Sequence, residues 1–120
     1  MKARLKATIG AAIVSAALVA TPNAALANYD ECPQGNICFF DGHDGTGAML
    51  PLPPVQRTYI GDGWNDRASS VWNRSGDVLC IWTDVDYSGL HYLIGAGQKQ
   101  ELLFSYDKAV SSFSINQCGG

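Results

Sequence analysis

The chain has 120 residues, with eight Lys and Arg against eleven Asp and Glu, for a formal net charge of −3. That length suits one domain. The acidic balance argues against a nucleic-acid-binding surface, which needs clustered positive charge.

Lys2, Arg4 and Lys6 precede an apolar run over residues 7–20, and Ala25-Leu26-Ala27 ends the stretch with small residues on both sides. This charged, apolar and small-residue layout is that of a secretory signal peptide over residues 1–27. The run is short for a membrane span, which needs ~20 apolar residues. Residues 28–120 are then the mature domain, expected to be extracellular, monomeric and away from membranes. The signal carries off three of the eight basic residues, leaving five against eleven acidic ones, a charge of −6.

Four cysteines remain: Cys32, Cys38, Cys80 and Cys118. An even number in a small exported domain reads as two disulfides, with three possible connectivities. Pro33 and Gly35 supply a turn that favours Cys32–Cys38, which leaves Cys80–Cys118 to join the first and last strands of a second motif. Those strands are neighbours in a Greek key.

Strands are predicted at 37–40, 48–52, 55–60 and 69–73, then at 78–83, 90–94, 98–104 and 111–116. Turns rich in Gly and Asp separate them, including Asp41 to Gly47 and Gly61-Asp62-Gly63. Pro51, Pro53 and Pro54 stop the second strand and suggest a sheet edge. Residues 101–105 also read as a single helical turn. No segment keeps a period of 3.6 residues, so the fold class is all-β.

The two halves repeat at an offset of 42 residues without a gap. Cys38 falls on Cys80, Asp44 on Asp86, Gly47 on Gly89, Trp64 on Tyr106, Asn65 on Asp107 and Ser69-Ser70 on Ser111-Ser112. Two copies suit a pseudo-symmetric pair of motifs around one core. They span about 36–76 and 78–118, and two four-stranded Greek keys packed face to face make a sandwich.

Trp82-x4-Tyr87-x-Gly89, with a serine in each fourth strand, resembles the Greek-key signature of the βγ-crystallins. In the first half Gly45 stands where the second aromatic belongs. Within that superfamily the Cys-Pro-x-Gly-x-x-Cys opening resembles the secreted inhibitors of peptidase inhibitor family I36. So does Asn65-Asp66-Arg67-Ala68-Ser69-Ser70-Val71-Trp72. The resemblance implies a disulfide-bonded βγ-crystallin-like sandwich that inhibits secreted metalloproteinases of the thermolysin type. It also implies a reactive bond just after the cysteine opening the second motif, here Cys80-Ile81. By its place in the strand, Ile81 reads instead as an ordinary core residue.

Asn65-Asp66-Arg67-Ala68-Ser69-Ser70 matches the calcium motif of the same superfamily, in which each site draws on both motifs. By that resemblance, one calcium ion is held by the Asp66 side chain, the Ala109 carbonyl and Ser111. The mirror site, using the Arg67 carbonyl and Ser69, is lost because Lys108 replaces its side-chain ligand and an ammonium cannot ligate a cation. The alternative is that these serines only fasten backbone. No cofactor is required.

No catalytic constellation is apparent. His43 lies in a polar turn and His91 on an exposed strand position, and neither belongs to an H-E-x-x-H pattern. Trp64, Trp72 and Trp82 sit at motif positions that suit a core. Asn73-Arg74-Ser75 is a glycosylation sequon by pattern only. Two further readings stand beside the inhibitor: a calcium-binding or structural extracellular module, and a secreted toxin or glycan-binding protein on the same scaffold.

Overall fold

Ile37-Cys38-Phe39-Phe40 contains no polar residue, so as a strand it must be buried on both faces. It is: all four side chains of β1 (Ile37–Phe40) are inaccessible to solvent. The computed structural model describes residues 28–119, and the signal-peptide reading of 1–27 lies outside them.

After β1 come β2 (Met49–Leu52), β3 (Ser70–Asn73), β4 (Leu79–Asp84), β5 (Ser88–Ile94), β6 (Lys99–Glu101) and β7 (Ser112–Ile115). Short 3-10 turns lie at Tyr29–Glu31, His43–Gly45 and Phe104–Tyr106. Two antiparallel sheets form, ordered β2-β1-β3-β6 and β5-β4-β7. The inward residues of both, among them Phe39, Val71, Leu79, Ile81 and Phe113, make one core. Phe39 and Phe113 meet across it with ring centroids 5.6 Å apart.

Alternation along a strand sends neighbouring side chains to opposite faces, so Cys38 and Phe40 point out of the first sheet and Cys80 and Trp82 out of the second. The chain ends cover them. Cys32 bonds Cys38 and brings Tyr29 onto Phe40 and Trp72. Cys118 bonds Cys80 and brings Gly119 onto the Trp82 ring. Both bridges therefore start from the same place in the repeat and clasp the two ends of the described segment to opposite outer faces. Trp72 and Trp82 belong to these outer clusters and not to the inter-sheet core, a correction to their expected place.

The expectation of two self-contained four-stranded keys also needs correction. The third strand of motif two, β6, pairs with β3 of motif one. Residues 55–60 form no strand. Their one ladder contact is the bridge between Arg57 and Phe113, with Arg57 N–H to Phe113 O at 3.0 Å and Phe113 N–H to Arg57 O at 3.1 Å. Pro51, Pro53 and Pro54 carry no N–H, and this removes the donors a fourth strand would need at its start. Each motif thus lends its third segment to the other's sheet, and the halves cannot separate without breaking both.

The 42-residue repeat extends to individual hydrogen bonds. Gly45 N–H donates to Ser70 Oγ and Tyr87 N–H to Ser112 Oγ; Ser70 Oγ–H donates to Gly42 O and Ser112 Oγ–H to Asp84 O. Ala48 N–H reaches Asp41 Oδ1 where Leu90 N–H reaches Thr83 Oγ1. The second serine of each pair is therefore the clasp of a folded hairpin.

Candidate functional site

Four places bear on function, beginning with the Cys80–Ile81 peptide. It lies in β4, the central strand of its sheet, with Ile81 opposite Tyr92 of β5 on one side and Phe113 of β7 on the other. Both residues are fully buried. A bond between two ladders is closed to solvent here, which is the place expected of Ile81 as a core residue. The physical reason is burial: Ile81 is an inward residue of the central strand of the second sheet.

The motif expected to hold calcium lies in two loops, one from each half, that hydrogen-bond to one another. Asp66 and Lys108, 42 residues apart, both take left-handed backbone, with φ 59° and 56°. Asp66 N–H donates to Val110 O and Lys108 N–H to Ala68 O, so each loop reaches into the other motif. The structure brings Asp66 and Ser111 together, with Oγ 3.4 Å from Oδ1. At the mirror position the Lys108 ammonium sits on two backbone carbonyls, Asp41 O at 2.8 Å and Arg67 O at 3.2 Å. Ser69 Oγ, two residues after Arg67, is buried and has no hydrogen-bond partner. Lys108 thus places its own positive charge on a carbonyl that the mirror site would have used. Among the described residues, no group of three or more His, Cys, Asp or Glu is placed to hold a metal ion.

A polar cluster joins the first hairpin to β6. His43 Nδ1 is 3.0 Å from Glu101 Oε1 and its Nε2 is 3.4 Å from Asp107 Oδ2. Asp44 N–H donates to both Glu101 oxygens, at 2.9 and 2.8 Å, and the Tyr29 hydroxyl donates to Oε2 at 2.9 Å. Burial, reinforced by that bond to Glu101, pushes the Tyr29 phenol up to about 12. His43 is therefore a bridge between carboxylates and not the free tip of a turn. His91 is an exposed β5 residue, as expected, and its ring rests against Trp82 at 4.7 Å. The Asn73 amide, fully buried, donates to Asp77 O, Ile94 O and Gly95 O, so the sequon is closed to a glycan.

The fourth place was not anticipated. β5 is an edge strand, and Ser88 through Leu93 are all exposed. Beside it the turn Phe104–Tyr106 carries Phe104, the most exposed large apolar residue among the described residues, at 94%. Tyr92, Leu102, Leu103, Phe104 and Tyr106 line a groove of about 250 Å³ between strand and turn. One sequence signal was available: the repeat sets Phe104 on Asp62, an apolar residue where the other motif has a polar turn.

Residues 25–94 match peptidase inhibitor family I36. The chain belongs to that family. Its members are inhibitors and not enzymes, and the partner class an I36 protein implies is a peptidase. The I36 chain is also similar to solved βγ-crystallin folds. One, described under the evolution of the eye-lens βγ-crystallin domain fold, has a TM-score of 0.64 at 18% identity, covering 70% of this chain and 88% of that one. The βγ-crystallin from Ciona intestinalis gives 0.59 at 26% identity, covering 68% and 99%. The N-terminal domain of Protein S gives 0.58 at 25% identity, covering 67% and 93%. No curated protein matches the chain. The resemblance read from the cysteine opening and the Trp82 hairpin is thus met in both fold and family, and both expected disulfides are present.

Proposed function

We propose that this I36 protein is an exported inhibitor of metallopeptidases of the thermolysin type. The observation that carries the reading is the family match over residues 25–94 on a rigid, doubly clasped sandwich. Rigidity supports inhibition because a pre-organised surface loses little conformational entropy when it docks. The two disulfides suit an oxidising compartment, which agrees with export. The metallopeptidase preference rests on the resemblance to founding inhibitors. Titrating the disulfide-bonded protein into metallo- and serine peptidases tests it. Stoichiometric, saturable inhibition of a thermolysin-like enzyme is expected, and inhibition of serine peptidases alone would overturn the metallopeptidase assignment.

A second reading concerns metal. The contact between Asp66 and Ser111 supports one weak calcium site completed by the Ala109 carbonyl. One carboxylate supplies little charge for a hard cation that takes six to eight oxygens. Ser111 also serves the fold, since its N–H donates to Trp82 O and its carbonyl accepts from Ile60. Metal would therefore add to a fastening that already exists.

A further inference from the structure

We propose that Phe104 is the anchor by which the protein blocks its peptidase, entering an enzyme pocket that accepts a bulky apolar side chain. The inference rests on the inhibitor reading above and names the surface that carries it.

Two independent observations point to Phe104. It is 94% exposed, and a ring left almost wholly in water contributes little to the fold. Its backbone is left-handed, φ 55°, a region that bulky L-residues rarely enter. Strain of this kind persists where the surroundings impose it, and it clusters at functional sites. The corresponding residues of motif one are Gly61-Asp62-Gly63, where the left-handed position falls on Gly61 and no bulky apolar side chain projects. Motif two makes its turn with Leu103-Phe104-Ser105, and Leu103 is half exposed as well.

The turn is held firmly. Leu102 is buried and its N–H donates to Ser69 O at 2.9 Å. Tyr106 N–H returns to Leu103 O at 3.1 Å and Asp107 N–H to Phe104 O at 3.3 Å. On the far side the Tyr106 hydroxyl donates to His91 O at 2.8 Å, and the Tyr92 and Tyr106 rings lie 5.4 Å apart. Phe104 is therefore a projecting ring on a braced turn, beside an edge strand. An aromatic anchor entering a pocket, with half-exposed apolar neighbours around it to exclude water, is the usual anatomy of an energetic centre. The Cys80–Ile81 bond has none of these features.

The test uses a peptidase that the parent protein inhibits. Phe104→Gly fits the left-handed backbone without a side chain, so it should melt at or above the parent temperature while its inhibition constant rises at least about 30-fold. Phe104→Asp should weaken inhibition further. Val55→Asp, at another apolar residue that is 62% exposed, should leave it unchanged. Full inhibition by Phe104→Gly would overturn the assignment while leaving the inhibitor reading intact. Failure of the parent to inhibit any peptidase would overturn both. A parent that sediments as a dimer, and as a monomer only in Phe104→Gly, would assign this surface to a second copy of the chain and overturn the proposal.

Discussion

The Tyr29 ring lies directly over Gly45: a Cβ built on that glycine would stand 2.6 Å from Tyr29 Cγ. In motif two the equivalent position is Tyr87, which takes the same left-handed backbone, φ 57° against 67° at Gly45. Motif one has no aromatic in its own hairpin turn. The amino-terminal segment supplies one from outside, held by the Cys32–Cys38 bridge. Tyr29→Ala should therefore cost about 2 kcal/mol in urea unfolding, because a large ring leaves a partly buried site. Gly45→Ala should cost about 1–2 kcal/mol through backbone strain and the ring clash. The two effects should be less than additive, since both disturb one contact.

The phenol of Tyr29 also gives a pH signature. Its pKa is about 12 folded against 10.0 when free, so between those values the unfolded chain has lost a proton that the folded chain keeps. Unfolding then releases protons, and stability falls as pH rises from about 10 towards 12. Denaturation curves across that window should show a steeper decline for the parent than for Tyr29→Phe. Equal slopes would mean that the phenol titrates normally.

Lys108 governs the metal prediction. At most one calcium per chain is expected, bound weakly. Lys108→Asp should remove the tethered ammonium from Arg67 O, supply a carboxylate and raise the stoichiometry towards two. Asp66→Ala in the parent should abolish binding. Calorimetry on the three proteins decides it, and two ions on the parent would contradict the cross-motif assignment.

The two disulfides should differ in worth. Chain-entropy estimates are about 2.4 kcal/mol for the short loop and about 3.9 kcal/mol for the long one. Replacing Cys80 and Cys118 together by Ala should also free Gly119 from Trp82, and shift tryptophan emission to the red. Unchanged emission would show that the tail stays without its bridge.

Burial of the Cys80–Ile81 bond makes a further prediction. After long incubation with an inhibited peptidase, peptide mapping should find that bond intact. Ile81→Asp should lower stability by several kcal/mol, because it puts an unpaired charge in the core. Cleavage between Cys80 and Ile81 in the complex would restore the expected reactive bond.

From the residues alone came the all-β class, the 42-residue repeat, both cysteine pairs and the family. These are local or periodic properties: turn residues, alternation, and a spacing that survives in one dimension. That serines of this motif could fasten backbone was legible too, from the short hydroxyl and its repeated place, although the hairpins they fasten lie 25–28 residues away. What only the tertiary structure decided depends on contacts between distant segments. The exchange of third segments between sheets rests on pairings between distant segments, β6 with β3 and Arg57 with Phe113. Ile81 became core because β4 is flanked on both sides, and Tyr29 found Gly45 only once a bridge had folded the chain end back. Lys108 could be read from sequence as a missing ligand, but its seat on the Asp41 and Arg67 carbonyls needed the two loops to meet. Phe104 read as the end of a strand or as part of a single helical turn, and neither reading reports exposure; the left-handed backbone, held by packing on either side, turns it out to solvent.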